Sequence, residues 1–494
     1  MSNENLKPNQ KFVGANCIRL HFEDITKNHK GITLIALIIT IIVMMILVAV
    51  SVTVALDGGL FGTAKDAASK TQIEAEKEML LSAVVGAIGT DAKVDLEKIQ
   101  LPDGFVEIKK GTYKSSKGNV FTVSENGEII NGTNGIIQVP NEELTEELKT
   151  AINEGKVNKV VKEIKDGKEL QAVIPAGFDV STKNGENTIS GGLVIFDEDG
   201  NEFVWVPCTT DENNTSGLVK YAKDTQYNDG TTATKENSYK NYSGWTDESI
   251  NVDSVSKYGG FYVGRYEAGI PSDAPFYTNA DGTTYIRADE IRNTTSYIPV
   301  SKPNNPIWNQ ISQANAKIVS EAMYSSSESV ESSLIDSYAW DTIVNWMESK
   351  NPGIAMDSTN YGNFLNSSLS ITNGLYAVYR YDYTSKGWYS WPSKYTKGTI
   401  EIPAREQSGV VPLYELATGS TDDTKVLNVY DMAGNMWEWT TESREYNEET
   451  VYIVYRGGRF WNDGSQFPIS SRLGNCTTST TEFDIGFRVV LYIK

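Results

Sequence analysis

The sequence predicts an α+β protein with an N-terminal membrane and stem helix, a small β unit, and then a large, loop-rich domain. Three observations carry that prediction. Residues 32–56, ITLIALIITIIVMMILVAVSVTVAL, are a run of 25 residues without a charge. Short stretches of alternating apolar and polar residues appear after residue 100. Beyond Pro175 the composition shifts to Gly, Ser, Thr, Asn and aromatic residues, with strand-like pieces separated by turns. At 494 residues, 39% hydrophobic and 22% charged, the chain exceeds what one core usually covers and predicts two or three structural units.

The apolar run comes first. A helix of that length crosses a hydrocarbon core of about 30 Å. Rich in Ile and Val, it has no polar face to turn to water, which argues against a buried core helix. Lys27 and Lys30 precede it, whereas Asp57 and an acidic chain follow. The positive-inside bias therefore puts residues 1–30 in the cytoplasm and the rest outside. The junction Lys30-Gly31-Ile32-Thr33-Leu34-Ile35 resembles the type IV prepilin processing site, which implies that a prepilin peptidase cuts between Gly31 and Ile32. The resemblance implies a leader over 1–31, a transmembrane and stem helix over 32–90, and other pilins as partners in a pilus or pseudopilus. Ala36 stands where pilins carry glutamate at the fifth mature position, and the leader is long; because that glutamate helps align subunits in a filament, its absence bears on polymerisation more than on cleavage. A plain uncleaved anchor is the alternative.

The stem follows. Ala64–Ala68 and Gln72–Leu80 are rich in helix formers and continue amphipathically towards Val85, while Gly58, Gly59 and Gly62 predict a kink or break. Gly104–Ile108 and Asn119–Val123 alternate as strands, with Asn126-Gly127 as a hairpin turn, so 91–140 reads as a small β unit packed on the stem. Residues 141–169 are charged and helix-forming, a helical linker with a solvated face.

Charge and composition exclude several functions. The net charge of −20, with a pI near 4.7, repels a nucleic-acid partner. His21, His29 and Cys17 all lie in the first 31 residues, and no histidine follows. Loss of that leader removes Ser-His-Asp and Cys-His triads, histidine-ligated zinc and histidine-ligated haem. Cys208 and Cys476 are 268 positions apart and read as small buried residues rather than a disulfide or a reactive thiol.

Within the large domain, Gly192–Pro207 reads as two strands around an Asp-Gly turn; Asp197 and Asp199 lack the remaining ligands of a calcium loop. Gly259–Gly269 reads as a strand entering a turn, with Arg265 and Glu267 on one face, paired, exposed or in contact with a ligand. Ser337–Met347 reads as a helix whose Trp340, Ile343, Val344 and Met347 face the core. Tyr376, Tyr379, Tyr381, Tyr383, Trp388, Tyr389 and Trp391 form an aromatic cluster, read as packing ahead of sugar stacking.

The C-terminal motifs are more specific. Asn428-Val429-Tyr430-Asp431-Met432-Ala433-Gly434-Asn435-Met436-Trp437-Glu438-Trp439-Thr440, then Arg456-Gly457-Gly458-Arg459, then Ile485-Gly486-Phe487-Arg488-Val489 resemble, in this order, the formylglycine-generating enzyme (sulfatase-modifying factor) family. The resemblance covers about 170–494 and implies a variant of the C-type lectin-like fold. It implies two copper-binding cysteines shortly after the Gly-Gly turn, where this chain has Asn462 and Phe467. Neither holds soft Cu(I), which prefers thiolate. A second branch of the family uses histidine-bound iron, and the mature chain has no histidine. The expectation is therefore no enzyme, with no copper or iron.

The resemblance further implies a structural Ca²⁺ at Asp431, Glu438 and the carbonyls of Gly434 and Met436, since hard oxygen donors suit that ion; the other reading of Glu438 is an ion pair with a buried cation such as Arg488. Arg459–Asp484, polar with a few aromatics, has the make-up of a paratope and occupies the ligand-binding face of variable proteins diversified by retroelements. Arg459, Phe460, Trp461, Asn462, Asp463, Ser465, Gln466, Phe467, Arg472 and Asn475 are its candidate ligand-binding residues, a plain surface loop being the alternative. The expected protein is a bacterial, membrane-tethered, pilin-like surface receptor or adhesin, its outer domain extracellular and binding a protein or glycan. A formylglycine-type oxidase and a minor pilin or pseudopilin that works in assembly are the competing readings.

Overall fold

The computed structural model describes residues 60–494 apart from 90–92, 125–126, 128, 133–135, 166–167, 184, 209–216, 219, 225–233, 237–244, 248–250, 275, 279–283, 287–291, 383–386, 390–393, 406–411 and 448–449. The leader, the Gly31–Ile32 junction and the apolar run 32–56 lie outside the described residues. Among the described residues no helix is long and apolar enough to cross a membrane. The chain divides into two compact units, Met1–Ala75 and Glu76–Lys494. The described part of the first is the start of a helix, Leu60–Gly86, which runs through Gly62 without the expected break. Gly62 falls in the first turn, where backbone N–H groups have no intrahelical partner anyway, so its cost there is small.

In the second unit the same helix buries Leu80 and Val84, spaced to lie along one face, and Ala87 just beyond its end is buried too. The small β unit is an antiparallel meander of Phe105–Lys109, Thr112–Ser115, Val120–Val123 and Ile129–Gly132. Asn119 Nδ2 donates to Glu76 Oε2 at 2.8 Å and ties the helix to it.

The linker expected over 141–169 requires correction. Only Glu146–Asn153 is α-helical, capped by the Thr145 hydroxyl. Val157–Lys165 and Lys168–Pro175 form a hairpin, to which Ile136–Gln138 adds a third strand. Buried Val157, Val160 and Val161 outweigh the helical propensity, and the charges find remote partners. Buried Lys162 pairs with Glu143, and Glu163 accepts from the Ser190 N–H and hydroxyl, both at 2.7 Å. The hairpin also shares its core with the outer domain, since Trp205 Nε1 donates to Gln171 O at 3.1 Å and Tyr262 OH to Val173 O at 2.9 Å. The core that the outer domain shares therefore extends back to Ile136.

Its centre is a six-stranded antiparallel sheet in the order Val330–Leu334, Val489–Ile493, Gly260–Gly264, Glu202–Pro207, Val194–Phe196, Asp179–Val180. The period of two sorts its side chains onto two cores. Phe203, Trp205 and Leu491 join one; Val204, Val206 and Val490 join the other, with Trp340 and Ile343 of the helix Ser337–Glu348. The hairpin expected at Asp197–Gly200 is present, and Asp197 accepts from Asn201 N at 2.7 Å and Asn201 Nδ2 at 2.9 Å. A further sheet joins Ser471–Cys476, Thr450–Arg456 and Trp437–Asn447 as antiparallel neighbours, with Ile485–Phe487 parallel to the last. Tyr376 packs against Tyr414, with ring centroids 6.0 Å apart; Tyr383 and Trp391 lie outside the described residues.

Candidate functional site

The sheet of Trp437–Asn447 floors a cavity of about 390 Å³. Trp437, Tyr455, Leu473 and Ile485 supply its floor, Arg459, Trp461, Asn462 and Phe467 one wall, and Glu482, Phe483 and Asp484 the other. The pairings explain the meeting. Trp437 lies opposite Ile485 in the parallel pair, and Tyr455 lies opposite Leu473 in the antiparallel one. The first wall leaves the sheet through Gly457 and Gly458, both at positive φ. A Cβ on Gly458 would lie 2.5 Å from Phe467 O, so only glycine lets this loop fold back on itself.

The rings are mutually fixed. Trp437 stands edge-on to Tyr455 at 5.2 Å and to Phe467 at 6.0 Å, and Trp461 tilts against Phe483 at 5.8 Å. The Arg459 guanidinium lies 4.1 Å from the Trp461 ring centroid and pairs with Asp484. Burial raises Asp484 against the pull of Arg459. Burial, then the charge of Asp484, raises Glu482. Tyr455 OH donates to Asn475 Oδ1 at 2.5 Å. The Asn462 Oδ1 atom is buried without a hydrogen-bond partner.

Of the ten candidate ligand residues, Arg459, Trp461, Asn462, Phe467 and Asn475 line this cavity. The others do not. Phe460 is buried beneath Trp461, with ring centroids 6.4 Å apart. Asp463 closes its own turn, accepting from Ser465 N at 2.8 Å and Gln466 N at 3.1 Å. Against the effect of burial, the Ser465 hydroxyl, at 2.6 Å, and those bonds hold its carboxyl below the usual value. Ser465 and Gln466 are exposed. Arg472 is corrected outright: it is buried, with Asp341 at 3.1 Å and Glu442 at 2.9 Å. Sequence reasoning missed Tyr455, which reaches the cavity through strand pairing, and did not single out Glu482 and Phe483 within Arg459–Asp484; they enter just ahead of the parallel strand Ile485–Phe487.

Cys476 also lines the cavity, half-buried rather than buried. Burial and the charge of Glu482 push its thiol up to about 11, so it is protonated near neutral pH. Cys208 is buried in the core on the other face of the central sheet. With Asn462 and Phe467 at the positions implied for cysteine, the cavity offers one unactivated thiol. It does not fit copper.

The calcium segment is also occupied differently. Glu438 is fully buried and takes Arg488 through both oxygens, with the Nη2 contact at 2.7 Å. Arg488 further donates to Gly264 O and Tyr430 O, each at 3.0 Å. Met436 is a core residue, and Gly434 sits at φ 73° in close contact with Asn363. Asp431 accepts a long bond from Gly419 N at 3.4 Å, and burial pushes its carboxyl up to about 6. Among the described residues no cluster of three His, Cys, Asp or Glu side chains is arranged to hold a metal ion. The ion-pair reading of Glu438 is the one observed, while Asp431 Oδ1 is buried without a hydrogen-bond partner. Arg265 and Glu267 are both buried, not exposed. Arg265 pairs with Glu186 and Glu202, each at 2.7 Å, and Glu267 accepts from Asn435 Nδ2 at 2.8 Å.

Fold and cavity together define a mixed α/β protein, mostly strands, with an aromatic-walled hollow near its C-terminus. Residues 382–493, which hold the cavity, match the family model of the sulfatase-modifying factor enzyme 1-like domain; the match is shorter than the 170–494 that the motifs suggest. No curated protein matches. Among solved structures, the crystal structure of CarF is similar at 15% identity over 48% of this chain and 87% of that one, with a TM-score of 0.26. The U1 variant of Major Tropism Determinant is similar at 13% identity, over 79% and 84%, with a TM-score of 0.24.

Proposed function

We propose that this chain is a membrane-tethered surface protein whose C-type lectin-like outer domain binds a protein or glycan ligand in the cavity behind Gly457-Gly458, without chemistry. The observation that carries the reading is the wall itself: Trp461, Asn462 and Phe467 border the cavity where an oxidase of the resembled family needs thiols. Rigid aromatics supply contact area there, and the two asparagines supply adaptable hydrogen bonds. The apolar run 32–56 supports tethering through a prepilin-like N-terminus, and the mass of the mature N-terminus tests it: a chain starting at Ile32 is expected, and one starting at Met1 argues for a plain anchor. Retroelement diversification of Arg459–Asp484 is the finer proposal; an adenine-biased template repeat beside the gene is its expected mark.

The full chain in detergent, probed on protein and glycan arrays with and without chelator, tests binding. The expected result is a ligand whose affinity falls at least tenfold in Trp461→Ala, in line with an aromatic anchor worth about 2 kcal/mol, and does not change with chelator. Cys476 in the cavity favours one competing reading, an oxidase with an altered thiol. Turnover of a cysteine peptide with copper would establish it and overturn ours.

A further inference from the structure

Three charged side chains border the cavity: Arg459, Glu482 and Asp484. Arg459 is already committed, pairing with Asp484 and covering Trp461. Glu482 spends its main-chain carbonyl on Gln310 N and Ile485 N, yet among the described residues no cation bridges its carboxylate. The hollow therefore holds one uncompensated negative charge beside a ring wall of Trp461 and Phe483. Of its other polar atoms, Asn462 Oδ1 is a buried acceptor without a hydrogen-bond partner and Arg459 Nε a buried donor without one. An ammonium or guanidinium group brings donors and no acceptor, and the Phe483 ring next to Glu482 attracts it. An anion would be repelled by Glu482, and the Nη1 of Arg459 already holds Asp484. A neutral ligand would leave Glu482 partly desolvated and unpaired, which costs free energy.

Resting on the reading of this cavity as the ligand site, we infer that it receives a basic side chain, lysine or arginine, of a protein ligand, with Glu482 as counter-ion and Trp461 and Phe483 as the wall. Arg459 shows the wall's preference, since the chain lays its own guanidinium on Trp461. The chain's charge of −20 draws such a partner in from a distance.

The test uses the full chain in detergent and three small probes: N-acetyl-lysine amide, N-acetyl-arginine amide and the uncharged N-acetyl-norleucine amide, titrated by calorimetry. The expected result is saturable binding of one basic probe at least tenfold tighter than norleucine, lost by tenfold or more in Glu482→Gln and in Trp461→Ala. Glu482 is exposed at the rim, so Glu482→Gln keeps the fold, which its unfolding midpoint verifies. Equal binding of norleucine, indifference to Glu482→Gln, or no saturable binding of either basic probe overturns the inference. The parent reading fails separately: an array ligand lost in Trp461→Ala but unaffected by Glu482→Gln keeps the site and removes the cation, whereas no array ligand sensitive to Trp461→Ala removes both.

Discussion

Arg488 shows how one residue can hold a loop without chemistry. It is fully buried, makes a two-oxygen contact with Glu438, and closes two main-chain carbonyls. Glu267 and Asp431 lie nearby, and burial, then the charges of Asp431 and Glu438, pushes Glu267 well above the usual carboxylate range. Arg488→Met leaves Glu438 buried and unpaired, so a loss of about 3–5 kcal/mol is expected in the denaturation midpoint. The double variant Arg488→Met with Glu438→Leu recovers much of it, because a matched apolar pair avoids the desolvation cost. The Arg265 cluster gives a pH signature. Burial alone would raise Glu186, but its bonds to Arg265 and Ser181 and the charges of Arg265 and Lys183 outweigh it, so its pKa lies below the usual 4.5. A depressed carboxyl means that the unfolded chain binds more protons between the two values, so stability from Glu186 is present above about pH 4.5 and lost as pH falls through the folded value. Glu186→Gln is expected to cost about 1–3 kcal/mol at pH 7, with the difference from wild type shrinking in denaturation curves taken below pH 4.5.

At the scale of elements, the loop after Gly457 determines whether the cavity exists. Gly458 is at φ 81°, and an added Cβ would lie 2.5 Å from Phe467 O and 2.7 Å from Phe364 Cε1. Gly458→Ala is therefore expected to destabilise by about 1–3 kcal/mol and to abolish ligand binding, since Phe467 must move. Gly353→Ala is the control: φ is 96° but nothing lies within 4 Å, so it costs about 1 kcal/mol and leaves binding intact. Equal effects of the two on array binding would separate the loop from the site. The same scale explains what was legible. The hairpin at Asp197–Gly200, the helix Ser337–Glu348 and the meander strands follow local period and turn chemistry. The hairpin Val157–Pro175 does not, because Lys162 and Glu163 look solvent-bound until Glu143 and Ser190 supply their partners. Half the cavity could be read from the polar and aromatic run after Gly458; Tyr455 could not, because antiparallel pairing brings it in, nor could the placement of Glu482 and Phe483, which precede the parallel strand Ile485–Phe487.

At the scale of the whole molecule, charge sets how a ligand arrives. The first 31 residues carry five basic and three acidic side chains, so a chain total of −20 leaves −22 on the rest. The described structure puts Glu482, without a bridging cation, at the mouth of the cavity, so the general field and the local charge act in the same direction. Fields of that kind raise encounter rates while contacts in the hollow set the lifetime of the complex. Screening separates the two, since the Debye length is about 10 Å at 0.1 M salt and about 3 Å at 1 M. A lysine-rich peptide flowed over the immobilised full chain is expected to associate about tenfold faster at 0.05 M than at 0.5 M salt, with dissociation nearly unchanged. A glutamate-rich peptide of equal length should show the opposite trend or no binding. In Glu482→Gln the salt dependence of association should persist, because the other charges remain, while dissociation accelerates. Salt-independent association of the basic peptide would show that the acidic exterior plays no part in capture.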